Sequence, residues 1–80
     1  MQQYDTEQPG WSRWSKYVSR CASSMNILTP ELLAGLGRSR KSGGPPSDRV
    51  LAAGRWIMVE WRRRTFYRME PREVPDGLRI

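Results

Sequence analysis

Apolar residues recur at helical spacing in two long stretches of the chain. Trp11, Trp14, Val18, Cys21 and Met25 fall at i, i+3, i+7, i+10 and i+14, which stacks them on one helix face and leaves Arg13, Lys16 and Arg20 off it. Ser12 is a candidate N-cap for this helix and Asn26 a candidate end. The second stretch, residues 47–69 (SDRVLAAGRWIMVEWRRRTFYRM), is the one segment long enough to serve as a spine. Wound at about 100° per residue, it gathers Val50, Leu51, Gly54, Ile57, Met58, Trp61, Thr65 and Met69 on one broad face. Trp56, Val59, Phe66 and Tyr67 collect on the other side with Arg63. A helix apolar on two sides needs two partners, or one within the chain and one outside it.

A β-hairpin over residues 55–69 is the competing pattern. Residues 56–61 and 65–67 are rich in strand formers, and Gly54 weakens a helix by about 1 kcal/mol relative to Ala. The connection would have to be Arg62-Arg63-Arg64, which lacks the Gly, Asn or Asp that a tight hairpin turn requires. The flanks agree with a helix: Pro45 and Pro46 set an extended approach, Ser47 or Asp48 caps the first amides, and Pro71 stops the chain. Helical from 48 to 69, the segment would span roughly 33 Å.

Between the two stretches, Thr29-Pro30-Glu31 marks a helix start: Thr as N-cap, Pro where its missing N–H costs nothing, and Glu at the positive end of the helix dipole. Leu32, Leu33 and Leu36 follow, and Gly35 or Gly37 should end this helix after about two turns. Residues 38–47, RSRKSGGPPS, read as a mobile basic loop. Residues 1–10 read as a disordered tail, and residues 70–80 as a turn-rich tail that Val74, Leu78 and Ile80 could pin to the body. The expected fold is all-α: a small three-helix domain over 11–69, with a long C-terminal helix and flexible termini. The alternative is α+β, with the hairpin at 55–69. The expected core is Trp11, Trp14, Val18, Leu32, Leu33, Leu36, Ile57, Met58 and Trp61.

Composition narrows the function. Eighty residues allow one domain with a small core. One cysteine, Cys21, excludes an intrachain disulfide, and with no histidine a tetrahedral zinc site cannot be assembled. No apolar run reaches the roughly 20 residues of a membrane span, and the polar N-terminus is unlike a signal peptide, so a cytoplasmic protein is expected. The net charge of +6 is concentrated in residues 11–69, where twelve basic residues face three acidic ones. Such a body suits a polyanionic partner. The plainer use of those arginines is to keep a small, Trp-rich chain in solution.

No catalytic constellation is visible, and the chain is not expected to be an enzyme; no cofactor or metal is implied. Glu60, between Val59 and Trp61, is the one carboxyl that could act as a general acid or base, and a Glu60–Arg64 pair at i, i+4 is its simpler use. Cys21 lies on the apolar stripe, where a small core residue fits better than a nucleophile. The binding features are richer. Arg55 and Arg62 share one strip of the long helix, flanked by Trp56 and Phe66, and arginine beside aromatic rings suits both nucleic-acid contacts and protein hot spots. The run LTPELLAGLG, residues 28–37, resembles the opening helix of small winged-helix excisionases, although RSRKSGGPPS stands where a recognition helix would follow. The long helix ending in WRRR is similar to helical adaptors of phage head–tail junctions. Neither resemblance carries a residue role to this chain.

Two functions are therefore expected. In the first, the chain is a nucleic-acid-binding regulator, with DNA ahead of RNA, contacting phosphates through Arg38, Arg40, Lys41, Arg55, Arg62, Arg63 and Arg64. In the second, it is a small adaptor or inhibitor, of the kind phages and mobile elements encode, that docks on a protein partner through Trp56, Phe66 and Tyr67. A membrane-surface role for the basic, Trp-bearing residues 11–25 comes third.

Overall fold

The computed structural model describes residues 10–79 and contains three α-helices: α1 (Trp11–Ser24), α2 (Pro30–Ser42) and α3 (Asp48–Thr65). A single 3₁₀ turn, Asp76–Leu78, follows. Among the described residues there is no strand, so residues 55–65 are helical and the hairpin alternative is excluded. The expected tail at 1–10 falls, except for Gly10, outside the described residues, as does Ile80. None of the described helices is long and apolar enough to cross a membrane.

Helix α1 starts at Gly10 without a side-chain cap, so Ser12 is not its N-cap. It ends in a Schellman pattern: Ile27 N–H donates to the Ala22 carbonyl at 2.9 Å and Asn26 N–H to that of Ser23 at 3.0 Å, with Asn26 at φ 61° in the left-handed position usually held by Gly. Helix α2 begins as its sequence requires, with the Thr29 hydroxyl accepting from Leu32 N–H at 3.1 Å and Pro30 in the first turn. It does not stop at Gly35 or Gly37. It continues through Arg38, Ser39, Arg40 and Lys41 to Ser42, where Gly43 at φ 77° takes the left-handed cap. The expected basic loop is thus mostly helix, and only residues 43–47 connect α2 to α3. The buried Ser39 hydroxyl donates to the Gly44 carbonyl at 2.5 Å and ties that connection down.

Helix α3 is capped by Ser47, whose hydroxyl accepts from Val50 N–H at 3.3 Å. It ends at Thr65, four residues short of expectation. Arg68 at φ 56° reverses the chain, and Met69 N–H donates to the Arg63 carbonyl at 2.8 Å. The segment that follows runs back along α3, and Leu78 packs against the core.

Val18, Cys21, Ala22, Leu32, Leu36, Val50, Ala53 and Ile57 form the buried core, with Trp14, Trp56, Met58 and Trp61 packed around it. Trp11 stands edge-on to Trp14, ring centroids 5.5 Å apart. Leu33, expected inside, is 53% exposed, because the outward turn of α2 carries it past the core. Two glycines set how closely the helices approach. A Cβ at Gly35 would lie 2.6 Å from Val50 Cγ2, and one at Gly54 would run into the Trp14 ring, so both interfaces close only because no side chain is present there.

Candidate nucleic-acid interface

The seven basic residues expected to contact nucleic acid divide into two groups. Arg38, Arg40 and Lys41 are exposed on the last turns of α2, where their charge also complements the helix dipole. Arg55 and Arg62 are exposed on α3. Arg63 and Arg64 are only half-exposed, and both are turned onto Glu60. The triple-arginine surface expected at 62–64 is therefore reduced to Arg62.

Glu60 is completely buried, yet it is the most heavily hydrogen-bonded side chain described. Its Oε1 accepts from Arg63 Nε at 3.1 Å and Arg72 Nε at 2.9 Å, and its Oε2 from Arg64 Nε at 2.9 Å and the Arg72 backbone N–H at 2.8 Å. Burial by itself pushes the carboxyl pKa up; the Arg72 backbone N–H and the Arg64, Arg72 and Arg63 side chains together outweigh it and bring the pKa down to about 2. A carboxylate held this way stays ionised near neutrality, which suits an anchor and not a general acid. The same arginines continue into the C-terminal segment: Arg63 Nη2 donates to the Glu70 carbonyl at 3.1 Å and Arg64 Nη2 to the Arg72 carbonyl at 3.3 Å. The expected Glu60–Arg64 pair is present as one arm of a three-arginine clamp.

The most uniform basic surface lies elsewhere, on α1. Arg13, Lys16 and Arg20 occupy its outward face at i, i+3 and i+7, all exposed, and α1 contains no carboxylate. Their spacing was legible in the sequence, but only as the reverse of an apolar stripe. The Ser12 hydroxyl donates to the Arg40 carbonyl at 2.7 Å, which places the Arg40–Lys41 turn of α2 beside the first turn of α1. On the other flank, Arg62 lies close enough to Tyr17 for its charge to act on the phenol. Burial and the neighbouring Cys21 nevertheless raise the Tyr17 pKa, and burial also raises that of Cys21.

The three aromatic residues expected at a protein interface also part company. Trp56 is half-buried beneath Arg72, whose guanidinium carbon lies 5.7 Å from the ring centroid. Phe66 and Tyr67 are 68% and 71% exposed. Phe66 extends a solvent-facing stripe of α3 in which Arg55, Val59 and Arg62 occupy successive turns. Comparison with protein-family models, curated proteins and solved structures finds no match to this chain.

Proposed function

We propose that the chain binds nucleic acid through its backbone phosphates, using Arg13, Lys16 and Arg20 of α1 together with Arg40 and Lys41 of α2. The observation that carries this reading is the outward face of α1: three exposed cations on a helix without a carboxylate, joined to the basic end of α2 by the Ser12–Arg40 hydrogen bond. Arg62, close to Tyr17 of α1, borders this surface, and Arg38 and Arg55 stand exposed on α2 and α3. Arg63 and Arg64 do not take part, because Glu60 already holds them. Duplex DNA fits such a surface better than duplex RNA, since a helix enters the major groove of B-form DNA and is kept out of the deep, narrow one of A-form RNA. A regulatory role is part of this proposal and rests on no separate observation.

The test is titration of labelled duplex DNA and duplex RNA at several salt concentrations. Five phosphate contacts give a log–log slope of roughly −4 to −5 at about −0.9 per contact, and Arg13→Ala/Lys16→Ala/Arg20→Ala together reduce it by about 3. A wild-type chain that binds neither duplex near physiological salt refutes the proposal.

A second reading rests on the stripe formed by Arg55, Val59, Arg62 and Phe66. Exposed aromatic and basic side chains at this spacing suit a protein partner. Phe66→Asp separates the two readings: it should abolish capture of such a partner and leave the salt-dependent duplex binding in place.

A further inference from the structure

A cleft of about 370 Å³ opens between the α1–α2 connection, α3 and the returning C-terminal segment. This is near the lower end of the roughly 300–1,000 Å³ found for small-molecule pockets. Ile27, Leu32, Ala53, Trp56, Ile57 and Leu78 contribute to its lining and make it largely apolar. Arg72, Glu73 and Arg79 stand on the same cleft from the C-terminal segment.

Arg72 is held in place in an unusual way. Its Nε and its backbone N–H both donate to Glu60, and its guanidinium lies over the Trp56 ring. Those bonds use one edge of the group; its two Nη atoms make no hydrogen bond among the described residues. Arg79 is anchored less tightly, with Nε 3.5 Å from Asp76 Oδ1. Arg49 Nη2 donates to the Arg79 carbonyl at 3.1 Å and brings a third guanidinium to this end of the molecule. Arg72 and Arg79 thus line the apolar hollow with one carboxylate, Glu73, while the carboxylates they already pair with, Glu60 and Asp76, are not among its lining residues.

We propose that this cleft binds a small amphipathic carboxylate: its apolar body lies against Ile57, Leu32 and Trp56, and its carboxylate is taken by the free Nη fork of Arg72 with Arg79 alongside. A planar guanidinium already fixed by Glu60 loses little freedom on binding, and its paired Nη donors match the two oxygens of a carboxylate. The proposal is independent of nucleic-acid binding, which uses the α1 and α2 faces.

The test uses octanoate as the probe, with octanamide and octylammonium as neutral and cationic controls of the same length. Each is titrated into the ¹⁵N-labelled full chain while the Trp56 indole N–H and the Arg72 amide are followed by NMR. The expected result is a saturable shift at both signals, with octanoate binding at least about tenfold more tightly than octanamide, as charge-assisted pairing requires. Arg79→Gln, at a side chain that is 61% exposed, should weaken octanoate binding severalfold. Arg72→Lys keeps a cation beside Glu60 but removes the fork, and should reduce the preference for octanoate over octanamide severalfold. Equal binding of octanoate and octanamide to the wild type overturns the proposal. So does a response confined to Arg13, Lys16 and Arg20, or the absence of a saturable shift. Should Arg72→Lys fail to fold, the wild-type ligand series and Arg79→Gln still decide.

Discussion

The outer edge of the Trp14 indole, at Cη2 and Cζ2, lies against Gly54, so closely that a methyl group on Gly54 would overlap the ring. This contact sets the distance between α1 and α3. Trp14 has little freedom to retreat, because Trp11 stands edge-on to it and the core lies behind it.

Two glycine-to-alanine substitutions inside helices should therefore act in opposite directions. Gly37 has nothing within 4 Å of where its Cβ would lie, so Gly37→Ala should stabilise by about 0.5–1 kcal/mol through helix propensity. Gly54→Ala gains the same propensity but meets the indole, and overpacking of about 1–3 kcal/mol should leave it less stable than the wild type. Urea melts of the two variants check both signs, and the Trp fluorescence of Gly54→Ala should shift as Trp14 is displaced.

Adjacent arginines should differ sharply in what they contribute to stability. Arg62 is exposed, and Arg62→Ala should change unfolding free energy by less than about 0.5 kcal/mol. Arg64→Ala removes one partner of a buried carboxylate and should cost about 3 kcal/mol. Thermal melts that show equal effects would contradict the division of the 62–64 run described above.

The Glu60 clamp also sets the acid limit of the fold. The folded-state pKa of Glu60 is depressed from 4.5 to about 2, so the folded state binds this proton less readily than the unfolded state. Its contribution is fully present above pH 4.5 and is lost as pH falls from there through about 2. The loss amounts to roughly 3 kcal/mol by linkage, since each pKa unit is worth about 1.4 kcal/mol. Denaturant midpoints measured between pH 7 and pH 2 should fall mainly below pH 4.5, and Glu60→Gln should flatten that part of the profile from a lower starting stability.

Neighbouring leucines on α2 provide a test of the core boundary. Leu36 is 1% exposed, and Leu36→Ala should cost about 2–5 kcal/mol. Leu33→Ala, on the outward face, should stay within about 0.5 kcal/mol. Chemical denaturation of each variant measures the difference directly.

What the sequence revealed, and what it hid, follows from how local each signal was. Trp14, Val18, Cys21 and Met25 repeat at helical spacing, so α1 and its buried face were legible from the residues alone. Thr29-Pro30 and Ser47 announced the starts of α2 and α3 because a cap acts within three residues. The extent of α2 was hidden, because Gly35 reads as a stop when its actual use is to admit Val50 from a distant helix. The clamp was hidden for a related reason. A pattern of apolar positions treats Glu60 as a break in the buried face, and Arg62, Arg63 and Arg64 read together as phosphate contacts. The Glu60–Arg64 arm was legible at i, i+4, whereas the return of residue 72, which completes the clamp, follows from no local rule. The α1 face was visible in its spacing, but it read only as the reverse of an apolar stripe and as a membrane surface.

The clamp also divides the folding of this end of the chain into a local and a distant part. Arg63 and Arg64 lie within about one helical turn of Glu60, so their bonds form with α3 itself. Arg72 supplies the other two of the four hydrogen bonds to the carboxylate and reaches it only when the chain has closed a loop. Sealing Glu60 away from water before that closure would leave half of those bonds unmade, so burial of the carboxylate and docking of the C-terminal segment are expected to occur as one cooperative event.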